Sequence, residues 1–371
     1  MHNALKTGAF AALACCALAS QSSPAEPARQ TATETRAVGA FSAIELAGPY
    51  HVVIDAAGAR PGLTLSGERK QLDGIETAVR GDTLVVRPVS RTNFSFNFSF
   101  NSGRRDKVTV HIAAPALRRL TTGGSGDVEL DGVGGEGFAI AVNGPGDVRA
   151  GGAVRRLTAT ASGSGDLDLQ HLSAADVEVT VDGPGDVRLA GVAGTLTARM
   201  SGSGSLSAEN VHAALVDARM RGPGDLKLSG SSRDLRLEST GSGDFDSCRL
   251  HVTALRSVQN GPGEVCVGEV ADAMDAEVRG SGDLKARLQD GKRLRLEMSG
   301  PGDARIDGSV AQVTARLSGS GSLEGRRLQA GQADIVVNGP GTAAVNVGKG
   351  AGPDRGQLLV VDRRGSRQGS N

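Results

Sequence analysis

Nine carboxylates recur along this 371-residue chain at alternating steps of 20 and 19 residues: Asp127, Asp147, Asp166, Asp186, Asp225, Asp244, Glu264, Asp283 and Asp303, with Ser205, Ser322 and Thr342 filling the other three places. If successive places stack as neighbouring strands, the carboxylates form a line with a spacing of ~4.8 Å. Such a line has two chemistries open to it. One is a calcium ladder, for which Asp127, Asp147, Asp166, Asp186, Asp225, Asp244, Asp283 and Asp303 are the candidate ligands. The other is hydrogen-bond capping, in which a carboxylate accepts from backbone N–H groups of a tight turn. Capping is the leading expectation. Ser and Thr, the other substitutes besides Glu, can cap as well, and two unit charges at this spacing repel by only about 1 kcal/mol in water.

What positions these residues is the tripeptide before each of them, Gly-Ser-Gly or Gly-Pro-Gly, starting at Gly124, Gly144, Gly163 and so on to Gly339. The middle residue alternates from Ser125 to Pro145 to Ser164 to Pro184, so the true period is 39 residues in two similar halves. A fixed period of this kind marks a solenoid. On both sides of the glycines apolar and polar residues alternate, as in Leu157-Thr158-Ala159-Thr160-Ala161 and Asp166-Leu167-Asp168-Leu169, which is the strand period. The fold expected is therefore all-β: a single-stranded right-handed parallel β-helix of about 12 regular coils of 19–20 residues, with a less regular N-terminal part. The glycines are expected to supply turn angles closed to other residues. Val128, Val148, Leu167, Val187, Leu206, Leu226, Phe245, Val265, Leu284, Ala304, Leu323 and Ala343 form an inward column, and every member is apolar. A second column runs through Val142, Ala161, Val181, Met200 and Met220, with Thr122, Ser239 and Gln259 as its polar exceptions.

One place further outward runs Glu129, Arg149, Asp168, Arg188, Ser207, Lys227, Asp246, Cys266, Lys285, Arg305, Glu324 and Ala344. Its alternating sign predicts a salt-bridge ladder that offsets the carboxylate line. Cys248 and Cys266 fall on adjacent coils, two residues out of phase, so ideal strands would hold their Cα atoms roughly 8 Å apart, slightly beyond bridging distance; a disulfide stays open. No two histidines have zinc spacing, and His212 and His251, which share a phase, lie two coils or about 10 Å apart. The motif serines have no histidine placed to activate them. Coils of nearly constant length build no groove for polysaccharide cleavage, and Tyr50 is the only tyrosine, so no enzyme activity, catalytic residue or cofactor is expected. Phe94, Phe96, Phe98 and Phe100 alternate with Asn and Ser; they either cover the early coils as a local strand or form a contact surface for a partner.

Forty-one basic and 41 acidic residues cancel, which argues against nucleic acid. Lys6, the apolar run Gly8 to Leu18 and Ala17-Leu18-Ala19 read as an export signal over residues 1–19, too short to span a bilayer. Cys15 and Cys16 also permit a lipid anchor. Residues 20–37 read as a flexible linker, 38–347 as the β-helix, and 348–371 as a C-terminal strand and tail. No later segment is apolar enough to be a transmembrane helix.

The run from Phe41 to Ile54, with Gly48-Pro49-Tyr50 at its centre, then Leu63-Thr64-Leu65-Ser66-Gly67, Leu72-Asp73-Gly74-Ile75-Glu76 and Gly81-Asp82-Thr83-Leu84-Val85-Val86, resembles the opening of the head GIN domain family, described as autotransporter adhesins. The Gly-Ser-Gly-Asp coils resemble that family's hallmark. The resemblance spans residues 38 to 347 and implies an exported bacterial β-helical protein with no catalytic residues to carry over. Nothing after Gly348 resembles a membrane barrel, so adhesion would be exerted from the periplasm, from a lipid anchor or after release. The expected function is that of a cell-envelope adhesin-like or scaffold protein binding a protein or carbohydrate partner. The alternatives are a calcium-binding solenoid and, last, a polysaccharide-active β-helix enzyme.

Overall fold

Strand alternation in this chain is interrupted within each coil, and the interruptions shape the cross-section. The computed structural model describes residues 31–89, 108–348 and 356–369. The export signal, Cys15, Cys16 and the Phe94–Phe100 segment lie outside these residues. Strands Val128–Val142, Val148–Ala161, Leu167–Val181, the pair Val187–Ala190 and Val192–Met200, then Leu206–Met220 and its successors stack in parallel register, Val128 beside Val148 beside Leu167. The twelve motifs enclose eleven complete coils of a β-solenoid.

Each strand runs on through what the sequence presents as a loop. In Leu167–Val181 the buried residues are Leu167, Leu169, Leu172, Ala174, Val177, Val179 and Val181. Two steps of three break the alternation, and each break is a bend. The first bend lies five residues after the acidic position, and six coils hold a left-handed residue there: Gly132, Gly152, Gly191, Asn210, Gly230 and Gly308. Glycine is favoured at such angles because it has no Cβ to clash. In two other coils an Asp just before the bend caps it: Gln170 N–H donates to Asp168 Oδ1 (3.1 Å) and Cys248 N–H to Asp246 Oδ1 (3.3 Å).

The motif glycines do a different job from the one expected. None of them lies in the left-handed region. They lie inward in phase with the strands, most of them buried, and a Cβ on Gly183 would sit 2.2 Å from the carbonyl oxygen of Gly163 one coil below. Backbone packs directly on backbone at this corner, so the absence of a side chain is required sterically.

Val, Leu and Ala columns fill the interior as predicted, and the polar exceptions Thr122, Ser239 and Gln259 are buried too. At the N-terminal end the stack is assembled out of sequence order. Ala43–Leu46 lies between Thr83–Pro88 and Arg119–Thr122, and His51–Asp55 lies between Thr109–Ala113 and the first long strand. Gly48-Pro49-Tyr50 is a thirteenth corner beneath Gly124-Ser125-Gly126: a Cβ on Gly126 would lie 1.8 Å from Tyr50 O. Burial pushes the Tyr50 phenol up to about 12. Antiparallel strands then close the end, Thr31–Arg36 on Gly62–Glu68 and Ile75–Arg80 on Thr83–Pro88. The linker expected to reach residue 37 is therefore already a strand from Thr31; Arg36 ties it down by donating to Ile75 O (2.6 Å) and Leu72 O (3.0 Å). At the other end Gly356–Asp362 pairs antiparallel with Ala343–Gly348 and carries Gly365–Gly369. Both ends thus finish the parallel stack with antiparallel strands, which cap a solenoid against extension by aggregation.

Cys248 and Cys266 form a disulfide with Cα atoms 5.2 Å apart, closer than ideal strands allow. The register between their two strands breaks between Ser247 and His251, at the bend that Asp246 caps, and the break brings Cys248 in. Cys248→Ser with Cys266→Ser should lower unfolding stability by about 3 kcal/mol, the value for a loop of this size. Urea unfolding of the oxidised chain against the double variant checks it, and equal midpoints would show that the bridge is dispensable.

Candidate binding surfaces

The acidic column is built by the corners and is outward-facing, yet one oxygen of each Asp is already engaged. Asp147 Oδ1 accepts from Asp166 N–H (2.9 Å), Asp166 Oδ1 from Asp186 N–H (3.0 Å), Asp186 Oδ1 from Ser205 N–H (2.9 Å) and Asp225 Oδ1 from Asp244 N–H (3.0 Å). Asp127, Asp244, Asp283 and Asp303 cap in the same way, onto Asp147, Glu264, Asp303 and Ser322. Capping is the arrangement found, but across coils rather than within one turn. Each carboxylate holds the amide of its counterpart one coil later, just where the regular ladder has yet to begin. Ser322 Oγ does the same for Thr342 N–H (3.4 Å). Glu264, one methylene longer, turns to Lys285 Nζ (2.7 Å).

Asp166→Asn should therefore cost little, since the amide oxygen still accepts, whereas Asp166→Leu should destabilise by about 1 kcal/mol or more by orphaning the Asp186 amide. Thermal or urea unfolding of the pair checks this, and equal stability would remove the cap from the account. Among the described residues no group of three or more His, Cys, Asp or Glu side chains is placed to hold one metal ion. Excess calcium against a chelator should leave the melting temperature of the mature chain unmoved; a rise of several degrees would make the column a cation ladder instead.

Beside the caps, the alternating outward column is in register as drawn, Glu129 beside Arg149 beside Asp168 beside Arg188. Arg149 pairs with Asp168 (3.4 Å), Arg188 with Asp166 (3.4 Å) and Arg305 with Glu324. These pairs are exposed and contribute little singly, but they neutralise the face. A second such face carries Arg199 with Glu178 and Arg219 with Asp217 and Glu238. His212 and His251 occupy one column with Ser231 between them. His251 Nδ1 lies 2.8 Å from Glu269 and His212 Nδ1 lies 3.0 Å from Asn210 O, so each has a local partner of its own.

Open depressions interrupt the surface at several places, against the expectation that no groove is built, two of about 430 Å³ among them lying along the ion-paired faces. Another, of about 530 Å³, opens where segment 114–118 joins Thr109–Ala113 to Arg119–Thr122; it lies between Pro115–Arg118 and the glycine-rich stretch Gly134–Gly137, with Arg156 at its rim. Sequence reasoning missed it because the wall is made by the cap, whose residues lie outside the 39-residue period. The cluster of glycines at 132, 134, 135 and 137 was the available signal.

Among the described residues no helix is long and apolar enough to cross a membrane. No curated protein matches the chain. Solved structures resemble it at low identity. One is a "putative adhesin" from Parabacteroides distasonis, with 15% identity, 83% of this chain and 97% of that chain covered and a TM-score of 0.37. A "putative lipid binding protein" from the same organism has 15% identity, coverage of 84% and 95% and a TM-score of 0.34. A "putative adhesin" from Bacteroides fragilis has 16% identity, coverage of 84% and 99% and a TM-score of 0.27. The family model described as "Putative auto-transporter adhesin, head GIN domain" matches residues 40–224, 191–287 and 270–351. These matches cover well over half of the chain, including all twelve Gly-Ser/Pro-Gly corners, and the chain belongs to the head GIN domain family.

Proposed function

We propose that this protein is a non-enzymatic, exported cell-envelope solenoid that acts as an adhesin-like or scaffold protein, presenting its strand faces to a protein or carbohydrate partner. The observation that carries the reading is the commitment of its ionisable groups. The carboxylates that could do acid–base or metal chemistry each give an oxygen to an inter-coil cap or an ion pair. What is left outward is a long, flat, charge-patterned surface on a rigid stack, which suits recognition rather than turnover. The family's description as adhesins points the same way, and the disulfide fits an oxidising compartment outside the cytoplasm.

The test is retention of the fluorescently labelled mature chain on isolated cell-envelope material, with the material untreated, protease-treated or periodate-oxidised. Loss of retention after protease identifies a protein partner and loss after periodate a carbohydrate. Absence of retention on any preparation would count against a binding role.

A further inference from the structure

The groove at the cap junction has a built floor and two arginines that make no ion pair or side-chain hydrogen bond with any described residue. The floor is the edge of the first long strand. His51–Asp55 pairs with residues 128–131 and Arg119–Thr122 with residues 139–142, while no described strand lies beside Gly132–Gly137 on that side. The wall opposite is Pro115–Arg118. In the neighbouring coil the positions in register with Gly134, Gly135 and Gly137 are Ala153, Val154 and Arg156. The floor is thus bare at Gly134, Gly135 and Gly137, where its neighbour carries side chains, and Glu136 between them is the one acidic residue of the lining. Arg156 stands beside Gly137, and the Arg118 carbonyl accepts from Ala139 N–H (2.9 Å) just past it, so the two guanidinium-bearing residues flank the bare strand. Arg155, next to Arg156, is paired with Glu136 (3.5 Å).

Resting on the binding role proposed above, we propose that this groove binds an acidic saccharide: a sugar chain whose carboxylates are taken by Arg118 and Arg156 while its hydroxyls meet the exposed backbone of Gly134–Gly137. Planar guanidinium forks match carboxylates two bonds at a time. Charge has to carry the recognition, because no aromatic ring lines the groove and a neutral sugar finds nothing to stack on. A peptide suits the site less well. Gly132 (φ +76°) and Gly135 (φ +104°) bend the strand, and its pairing with the next coil is irregular between Ala150 and Gly152. An added peptide strand needs donors and acceptors in straight alternation, which a bulged edge does not offer. Hydroxyls around a sugar ring donate and accept in many directions.

The experiment titrates the mature chain with trigalacturonate by calorimetry, alongside the fully methyl-esterified trimer and a pentaglutamate peptide. Trigalacturonate should bind, more weakly as salt rises, and the ester should bind at least about tenfold less tightly, as should the Arg118→Ala/Arg156→Ala variant to the acid. Gly137→Gln fills the groove from its floor. Its Cβ would meet nothing nearer than Arg156 O at 3.8 Å, so it should fold and melt as the parent while losing binding. Equal binding of the ester, tighter binding of pentaglutamate, or full affinity in either variant would overturn the proposal. So would no binding of trigalacturonate at all. If that happens while the chain is still retained on envelope material, the groove assignment fails and the binding role stands; if retention fails as well, the binding role falls with it.

Discussion

Gly204→Ala should be among the most damaging single substitutions in this protein, lowering its unfolding free energy by about 3 kcal/mol or more, while Ser203→Ala beside it should change almost nothing. Gly204 is buried at the middle of the stack and Ser203 is exposed. The added methyl would lie 2.1 Å from Gly185 O and 2.9 Å from Gly185 C, both backbone atoms of the coil below. No rotamer change relieves a clash with backbone. The coils must part, and in parting they stretch ladder bonds on both sides of the corner, such as Ser201 N–H to Val181 O (2.9 Å). Overpacking a well-filled interior costs about 1–3 kcal/mol when side chains can adjust, and more when they cannot. Urea unfolding of the two variants decides the matter. If both unfold alike, the close approach of corner to corner is not what the glycines serve. Gly134→Ala is a further control, since its Cβ would find only Ala153 O at 3.9 Å.

Phe245→Ala should cost about 3–5 kcal/mol, the range for emptying a buried aromatic site. Phe245 is 1% exposed and stands in the inward column between Leu226 and Val265. It is the only aromatic residue in that column. Ser239, Ser247 and Ser257, on the same and the preceding strand, are small and buried. Collapse into the vacated space is hindered because each coil is pinned by ladders above and below. Phe245→Leu, which keeps most of the volume, should cost less than about 1.5 kcal/mol. A comparable loss for Leu and Ala would mean that ring shape, rather than volume, is what the column needs.

Much of the architecture is legible because a solenoid repeats its own evidence. The 20/19 alternation of the motif sets the coil length, and period-two patterning sets the strands. The registered columns Val128-Val148-Leu167 and Glu129-Arg149-Asp168 then follow by counting. Even the capping role of the Asp column is visible in the substitutes allowed there, since Ser and Thr share with Asp only an accepting oxygen on a short side chain.

What the tertiary structure decided are the contacts whose partner lies one coil away or outside the period. The direction of the Asp caps is one: a carboxylate that could serve its own turn reaches instead the amide 19 or 20 residues on, because stacking places that amide nearer. The motif glycines are another, needed for the carbonyl beneath them rather than for their own backbone angles. The Cys248–Cys266 bridge depends on a local break in register that an ideal strand does not predict. The N-terminal cap threads Ala43–Leu46 and His51–Asp55 between segments far later in the chain, and the groove exists only where that cap meets the first glycine-rich strand. Sequence by itself determined the spacing and register of what repeats, since a period fixes which residues share a column; the fold decided which atoms meet between coils and everything that happens once, because neither a contact's direction nor a single long-range juxtaposition is written in a period.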